Sequence, residues 1–165
     1  MTDIIDILKY KSPFGIITVQ EKNGAVSRVY LPNESVKPSE KDIKDNYVNA
    51  PSVLLENAKN QFDEYFNGKR KIFDLPLNFN GCGDFYIKVY HELLKIPYGT
   101  TVSYKNIAER IGWPKGFRAV GLANNKNPLP IIVPCHRVIG SNGKLTGYAG
   151  GLDLKINLLE LEKNN

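Results

Sequence analysis

Two cysteines and two histidines are all that 165 residues contain, and each scarcity excludes something. Two cysteines cannot build the disulfide lattice that staples small secreted domains. The positions Cys82, His91, Cys135 and His136 match no familiar zinc-ligand spacing, so no metal is expected. No apolar run reaches membrane-spanning length, so no membrane association is expected. The acidic beginning, Met1-Thr-Asp-Ile-Ile-Asp6, lacks the cationic and apolar regions of a signal peptide. A reducing, cytoplasmic setting is therefore expected. Internal repeats and low-complexity tracts are missing too, which leaves one large or two small ordinary domains with enough chain to bury a core.

The charge is unevenly spread. Residues 1–80 hold 11 Lys and Arg against 11 Asp and Glu, whereas residues 81–165 hold 11 against 6, so the net +5 lies in the second half. A neutral half joined to a basic one suggests a polyanion-binding module beside something else. In the first half, Asn23-Gly24 separates the strand-like runs Gly15–Gln20 and Ala25–Leu31, a hairpin signal. Residues 33–50 read as a polar surface loop. Pro51 to Asn67 carries Leu54, Ala58, Phe62 and Phe66 at four-residue spacing, which predicts an amphipathic helix, and Phe73 to Leu77 predicts a returning strand. Asn78-Phe-Asn-Gly-Cys-Gly83 breaks both periodicities and marks a boundary between domains at 1–80 and 81–165.

Beyond the boundary, Asp84 is a candidate cap for a helix that turns Phe85, Val89, Leu93 and Ile96 inward. Ser103 is a good cap for a short helix over Tyr104–Ile111 that stops at Gly112. Pro114 suits the first position of a second helix running to about Asn125, with Lys115, Gly116, Arg118, Ala119, Gly121 and Ala123 along it. Two short helices around a tight turn, in the basic half, read as helix-turn-helix. A last helix over Asp153–Lys163 is expected to pack through Ile156 and Leu159. Between these elements lies the most informative segment, Pro134-Cys135-His136-Arg137-Val138, at the end of the apolar run Ile131-Ile132-Val133. A thiolate is a strong, soft nucleophile, and a neighbouring imidazole and cation favour its formation. A buried core cysteine is the competing explanation.

Taken together, Ile96-Pro-Tyr-Gly-Thr-Thr-Val-Ser-Tyr104, Arg118-Ala-Val-Gly121, Asn127-Pro128, Ile131-Ile-Val-Pro-Cys-His-Arg-Val-Ile-Gly140 and Gly147-Tyr-Ala-Gly-Gly151, with Lys155, Leu158, Leu159 and Glu162, resemble the O6-alkylguanine-DNA alkyltransferases. The resemblance implies an α+β chain: a ribonuclease-H-like α/β domain followed by a winged helix-turn-helix. It also implies direct-reversal DNA repair, with one irreversible alkyl transfer per molecule from O6-alkylguanine, and from O4-alkylthymine, in double-stranded DNA. Cys135 would be the nucleophile, His136 its base through a water, and Glu162 the group that orients His136. Asn127 would shape the site, and Tyr104 would crowd the phosphate and donate a proton to the departing guanine. Arg118 would fill the gap left by the flipped nucleotide. Ser103, Lys115, Gly116, Ala119, Gly121, Ala123 and Arg137 would meet the DNA, the small residues permitting close backbone approach in the minor groove. Val138, Tyr148, Ala149 and Gly150 would line the base pocket. No cofactor is implied, and a monomer is expected. Phe117 stands where a small residue is expected. The alternative is a non-catalytic alkylated-DNA sensor of the same fold; such proteins carry tryptophan in place of the cysteine.

Overall fold

The computed structural model describes residues 5–34 and 52–165. The chain divides into two compact units, Met1–Asn80 and Gly81–Asn165. In the first, β1 (Ile5–Ser12), β2 (Gly15–Lys22) and β3 (Ala25–Tyr30) form an antiparallel sheet in the order β1-β2-β3. Asn23 and Gly24 both take positive φ, 53° and 80°, as a two-residue hairpin turn between twisted strands requires. Helix α1 (Val53–Phe66) follows, capped by the Ser52 hydroxyl, which accepts from the Leu55 amide. Its buried face is Leu55, Ala58, Gln61, Phe62, Tyr65 and Phe66, one residue out of step with the predicted Leu54. Phe62 is fully buried in an aromatic cluster with Tyr10, Phe66 and Phe73. The loop expected over 33–50 falls almost wholly outside the described residues.

The strand expected over Phe73–Leu77 is reduced to one parallel bridge, Val26 to Leu77. Pro76 has no amide hydrogen to continue a ladder; its carbonyl accepts from Val26 N–H, and Asn78 N–H returns to Val26 O. Gln61 completes the pairing from the helix, donating to Asp74 O and accepting from Asp74 N–H, both at 2.8 Å.

The second unit begins with α2 (Asp84–Leu93). Its cap is Gly83 rather than Asp84, which is the first helical residue. Val89, Tyr90 and Leu93 are buried, and Phe85 is half-buried, edge-on to Trp113. Strand β4 (Val102–Ser103) leads into α3 (Tyr104–Arg110), where Ser103 and Asn106 cap each other reciprocally. A turn separates α3 from α4 (Phe117–Asn125). Pro114 lies in that turn and not in the helix: Trp113 O accepts from Gly116 N–H, and Gly116 is the cap. Then come a 3-10 turn (Cys135–Arg137), β5 (Val138–Ile139) parallel to β4, and α5 (Leu152–Lys163). Helix α5 buries Leu154, Lys155, Leu158 and Glu162, whereas Ile156 is exposed and Leu159 half-buried, contrary to the predicted face. The inward stripe includes two charged residues, and that defeated an apolar-spacing argument.

Because Phe62 anchors the aromatic cluster with no exposure, Phe62→Ala should destabilise the protein by about 3–5 kcal/mol. Urea unfolding measures this; a loss below about 1 kcal/mol would show that the cluster is not the core of its unit.

Candidate functional site

The site forms where α5 meets the Cys135 turn. Glu162, from the last turn of α5, is 3% exposed. Its Oε1 accepts from His136 Nε2 at 2.7 Å and Arg137 Nη2 at 2.8 Å. Its Oε2 accepts from Arg137 Nε at 2.9 Å and Gly99 N–H at 3.2 Å. Each oxygen therefore has two donors, as a buried carboxylate needs. Burial alone would raise this carboxyl's pKa, but the hydrogen bonds and charges of His136 and Arg137 hold it well below the ordinary 4.5. Gly99 can donate there because it sits at φ 74°, with no Cβ to press on Glu162 O.

An ionised Glu162 fixes the histidine's tautomer. Nε2 carries the proton toward the carboxylate, and Nδ1 is left with its lone pair. Burial lowers the His136 pKa below 6.5 despite the carboxylate, so the imidazole stays neutral near pH 7. Nδ1 is buried and meets no hydrogen-bond partner among the described residues. This is the electronic state of a base. Arg137 has another occupation than the expected DNA contact. It is buried, paired with Glu162, and donates through Nη1 to Ile96 O at 2.7 Å. Three of its N–H groups are engaged in this way and little of the side chain is exposed, so Arg137 belongs to the frame of the site.

Cys135 is 3% exposed. Burial pushes its thiol up to about 11, while hydrogen bonding to Asn127 and the nearby Lys155 ammonium work in the opposite direction. Asn127 is buried in a tight loop, donating to Val133 O at 2.8 Å and accepting from Leu129 N–H at 2.9 Å. That loop forces Ile131 to φ 74°, a left-handed conformation costly for a β-branched residue. Asn124 Nδ2 donates to the carbonyl of Cys135 at 3.2 Å. Lys155 is fully buried and donates to Val138 O at 2.7 Å and Thr146 O at 3.1 Å, tying the strand after the Cys135 turn to the following loop. Thr146 Oγ1 in turn donates to the Tyr104 hydroxyl at 3.1 Å. Tyr148 and Gly150 in that loop are buried and Ala149 is exposed; Val138 is buried.

The helix-turn-helix residues divide into two groups. Arg118, Lys115, Phe117 and Leu122 are exposed, Ala119 and Ser103 partly so, and a Cβ added at Gly121 would make only ordinary contact with the Tyr104 ring. Ala123 is fully buried and its carbonyl accepts from the Tyr90 hydroxyl, so its side chain is a core contact rather than a groove contact. Gly116 is buried beneath Trp113; a Cβ there would stand 2.4 Å from the indole, so packing already requires glycine at this position. Sequence reasoning passed over Asn124 and gave Lys155 no role. A fully buried polar residue inside an apolar stripe is the signal, and it is visible only once the stripe's orientation is known.

Comparison with known proteins gives the chain its family. The model of the 6-O-methylguanine DNA methyltransferase DNA binding domain matches residues 84–164, and that of the ribonuclease-like domain matches residues 8–79. The chain belongs to the O6-alkylguanine-DNA alkyltransferase family. It is 46% identical over 156 residues to the methylated-DNA–protein-cysteine methyltransferase of Methanosarcina mazei, covering 94% of this chain and 95% of that one. It is 43% identical over 154 residues to the constitutive enzyme of Bacillus subtilis, covering 93% and 92%. The crystal structure of Mycobacterium tuberculosis OGT in complex with DNA superposes with a TM-score of 0.85 at 42% identity, covering 96% of this chain and 93% of that one. The α+β organisation, a ribonuclease-like domain followed by a DNA-binding domain, is that of the family.

The frame around Glu162 sets an acid limit on stability. The unfolded carboxyl titrates near 4.5 and the folded one lower, so the stabilisation is complete above pH 4.5 and is lost as pH falls below it. His136 acts in the same sense below its unfolded value of 6.5. Glu162→Gln should remove the lower part of this pH dependence. At neutral pH it should cost about 3–5 kcal/mol by leaving Arg137 buried without its counter-charge. Denaturant titrations at several pH values test both; an unchanged acid limb in the variant would contradict the assignment.

Proposed function

We propose that this protein repairs alkylated DNA directly, moving the alkyl group of an O6-alkylguanine onto Cys135 in one irreversible step. A DNA-repair methyltransferase activity follows from membership of the family; the residue roles are our reading of the site. The observation that carries it is an intact Cys135 beside the Glu162–His136 pair, within a unit that also presents an exposed Arg118 on its second short helix. The sensor alternative is not favoured, because Cys135 is present where such proteins carry tryptophan.

In the proposed mechanism double-stranded DNA lies against α4 through its minor groove. The accessible side of α4 carries Arg118 and the partly exposed Ala119, with Lys115 in the preceding turn, Ser103 at the edge and the half-buried Gly121 beside Tyr104. Arg118 enters the base stack as the damaged nucleotide swings out. The base reaches a pocket walled by Val138, Tyr148, Ala149 and Gly150. His136 Nδ1 takes the thiol proton through a water, held in the correct tautomer by Glu162. The thiolate sulfur then attacks the alkyl carbon. As the S–C bond forms, the C–O bond breaks and its electron pair stays on the guanine, which takes a proton from Tyr104. The resulting thioether has no leaving group, so each molecule acts once. No cofactor takes part, since the DNA carries the group transferred. O4-alkylthymine presents the same reacting atoms and is the expected second substrate. The protein is proposed to work as a cytoplasmic monomer; no helix among the described residues is long and apolar enough to cross a membrane.

Cys135→Ser should leave O6-methylguanine in duplex DNA unaltered while binding the duplex with nearly parental affinity, as chromatographic base analysis and a binding titration show. Restoration of guanine by this variant would refute the nucleophile assignment. Arg118→Ala should slow transfer from duplex DNA by about 10-fold or more through lost help in extrusion; parental single-turnover rates would remove Arg118 from that role. Because burial depresses the His136 pKa, the base form persists below pH 6.5, and the acid limb of the transfer rate should have its midpoint below that value. A midpoint at or above 6.5 would show that a different group is the base.

A further inference from the structure

We propose that Asn124 is a positioning residue for the transfer step, its buried amide fixing the main chain of the nucleophile opposite the amide of Asn127. The inference rests on alkyl transfer at Cys135. The residues on either side of Pro134 are held by one pattern. Val133 O accepts from a main-chain donor, Cys135 N–H at 2.8 Å, and a side-chain donor, Asn127 Nδ2 at 2.8 Å. Cys135 O likewise accepts from Val138 N–H in the 3-10 turn and from Asn124 Nδ2 at 3.2 Å. Both carbonyls thus have both lone pairs engaged. Pro134 between them has a fixed φ, here −80°. The backbone that carries Sγ is thereby defined from both sides.

Packing does not explain an asparagine at this place. Asn124 is 3% exposed, and its Oδ1 is buried with no hydrogen-bond partner among the described residues. An apolar side chain of the same shape would fill the space without that penalty. The amide's contribution therefore lies in its donor, and its orientation is set by Cys135 O, which can only accept. Asn124 also stands in the last turn of α4, the helix that begins with Phe117 and Arg118. The neighbouring carbonyl, Ala123 O, is held from α2 by the Tyr90 hydroxyl at 3.1 Å. The far end of the proposed DNA-facing helix is thus joined directly to the reacting residue. Seating α4 on a duplex and placing the sulfur become one operation.

Asn124→Leu keeps the shape and removes the donor; Asn124→Met, longer and more adaptable, removes the same donor should the leucine variant fail to fold. Single-turnover transfer at saturating O6-methylguanine duplex is measured beside the dissociation constant for an undamaged duplex. The expected result is transfer slowed at least about 10-fold with affinity within about twofold of the parent. Transfer within twofold of the parent overturns the proposal, as does a parallel loss of rate and affinity, which marks a general structural role. A parent protein that transfers nothing defeats the proposed function itself, and the positioning role of Asn124 with it. A parent that transfers normally beside an equally fast variant defeats the positioning role alone.

Discussion

One buried carboxylate organises the second unit. Glu162 takes four hydrogen bonds from three residues that are distant in sequence: His136, Arg137 and Gly99. Removing an ion from water is expensive, and only complete satisfaction of its oxygens makes burial tolerable. Meeting that requirement fixes α5 against the Cys135 turn and draws in the turn at Ile96–Gly99. It also decides the chemistry. A carboxylate kept ionised by an arginine can receive Nε2–H and leave the imidazole neutral, with its basic nitrogen on the other side. In the proposed mechanism the same ion pair serves both folding and proton transfer.

Around this anchor the segment carrying Cys135 is held by side-chain donors to main-chain carbonyls. Amides from Asn124 and Asn127 grip the main chain beside Pro134, and the Lys155 ammonium straps Val138 to Thr146. Ile131 stays in a left-handed conformation because the Asn127 loop over-determines it. Enzymes gain rate when reacting groups are placed in advance rather than found by search. A protein that reacts once has the same need, since a buried thiol with a raised pKa becomes reactive only when base and substrate are correctly placed.

Much of this was legible in the sequence where a residue's chemistry and its position coincide. Asn23-Gly24 declared its hairpin through a backbone requirement. Ser103 declared its cap, and the motif around Cys135 declared the family and pointed to the proposed nucleophile. Most of the misreadings share one cause: a contact that apolar spacing does not reveal decided the outcome. Arg137 reads as a phosphate contact until Glu162 claims it. Ala123 and Gly116 read as groove-facing small residues until Tyr90 and Trp113 supply local reasons for them. Ile156 and Leu159 read as the buried stripe of α5, but Lys155 and Glu162 turn that helix by their own buried hydrogen bonds. Charged residues that face inward invert the usual inference from apolar periodicity.

The central claim is that Cys135 accepts the alkyl group. Intact-protein mass spectrometry after incubation with duplex DNA carrying one O6-methylguanine tests it most directly. The account predicts a gain of about 14 Da, localised to the peptide containing Cys135 and saturating at one group per molecule. Tight binding to the lesion with no gain in mass would contradict the account and place the protein among the sensors of alkylated DNA.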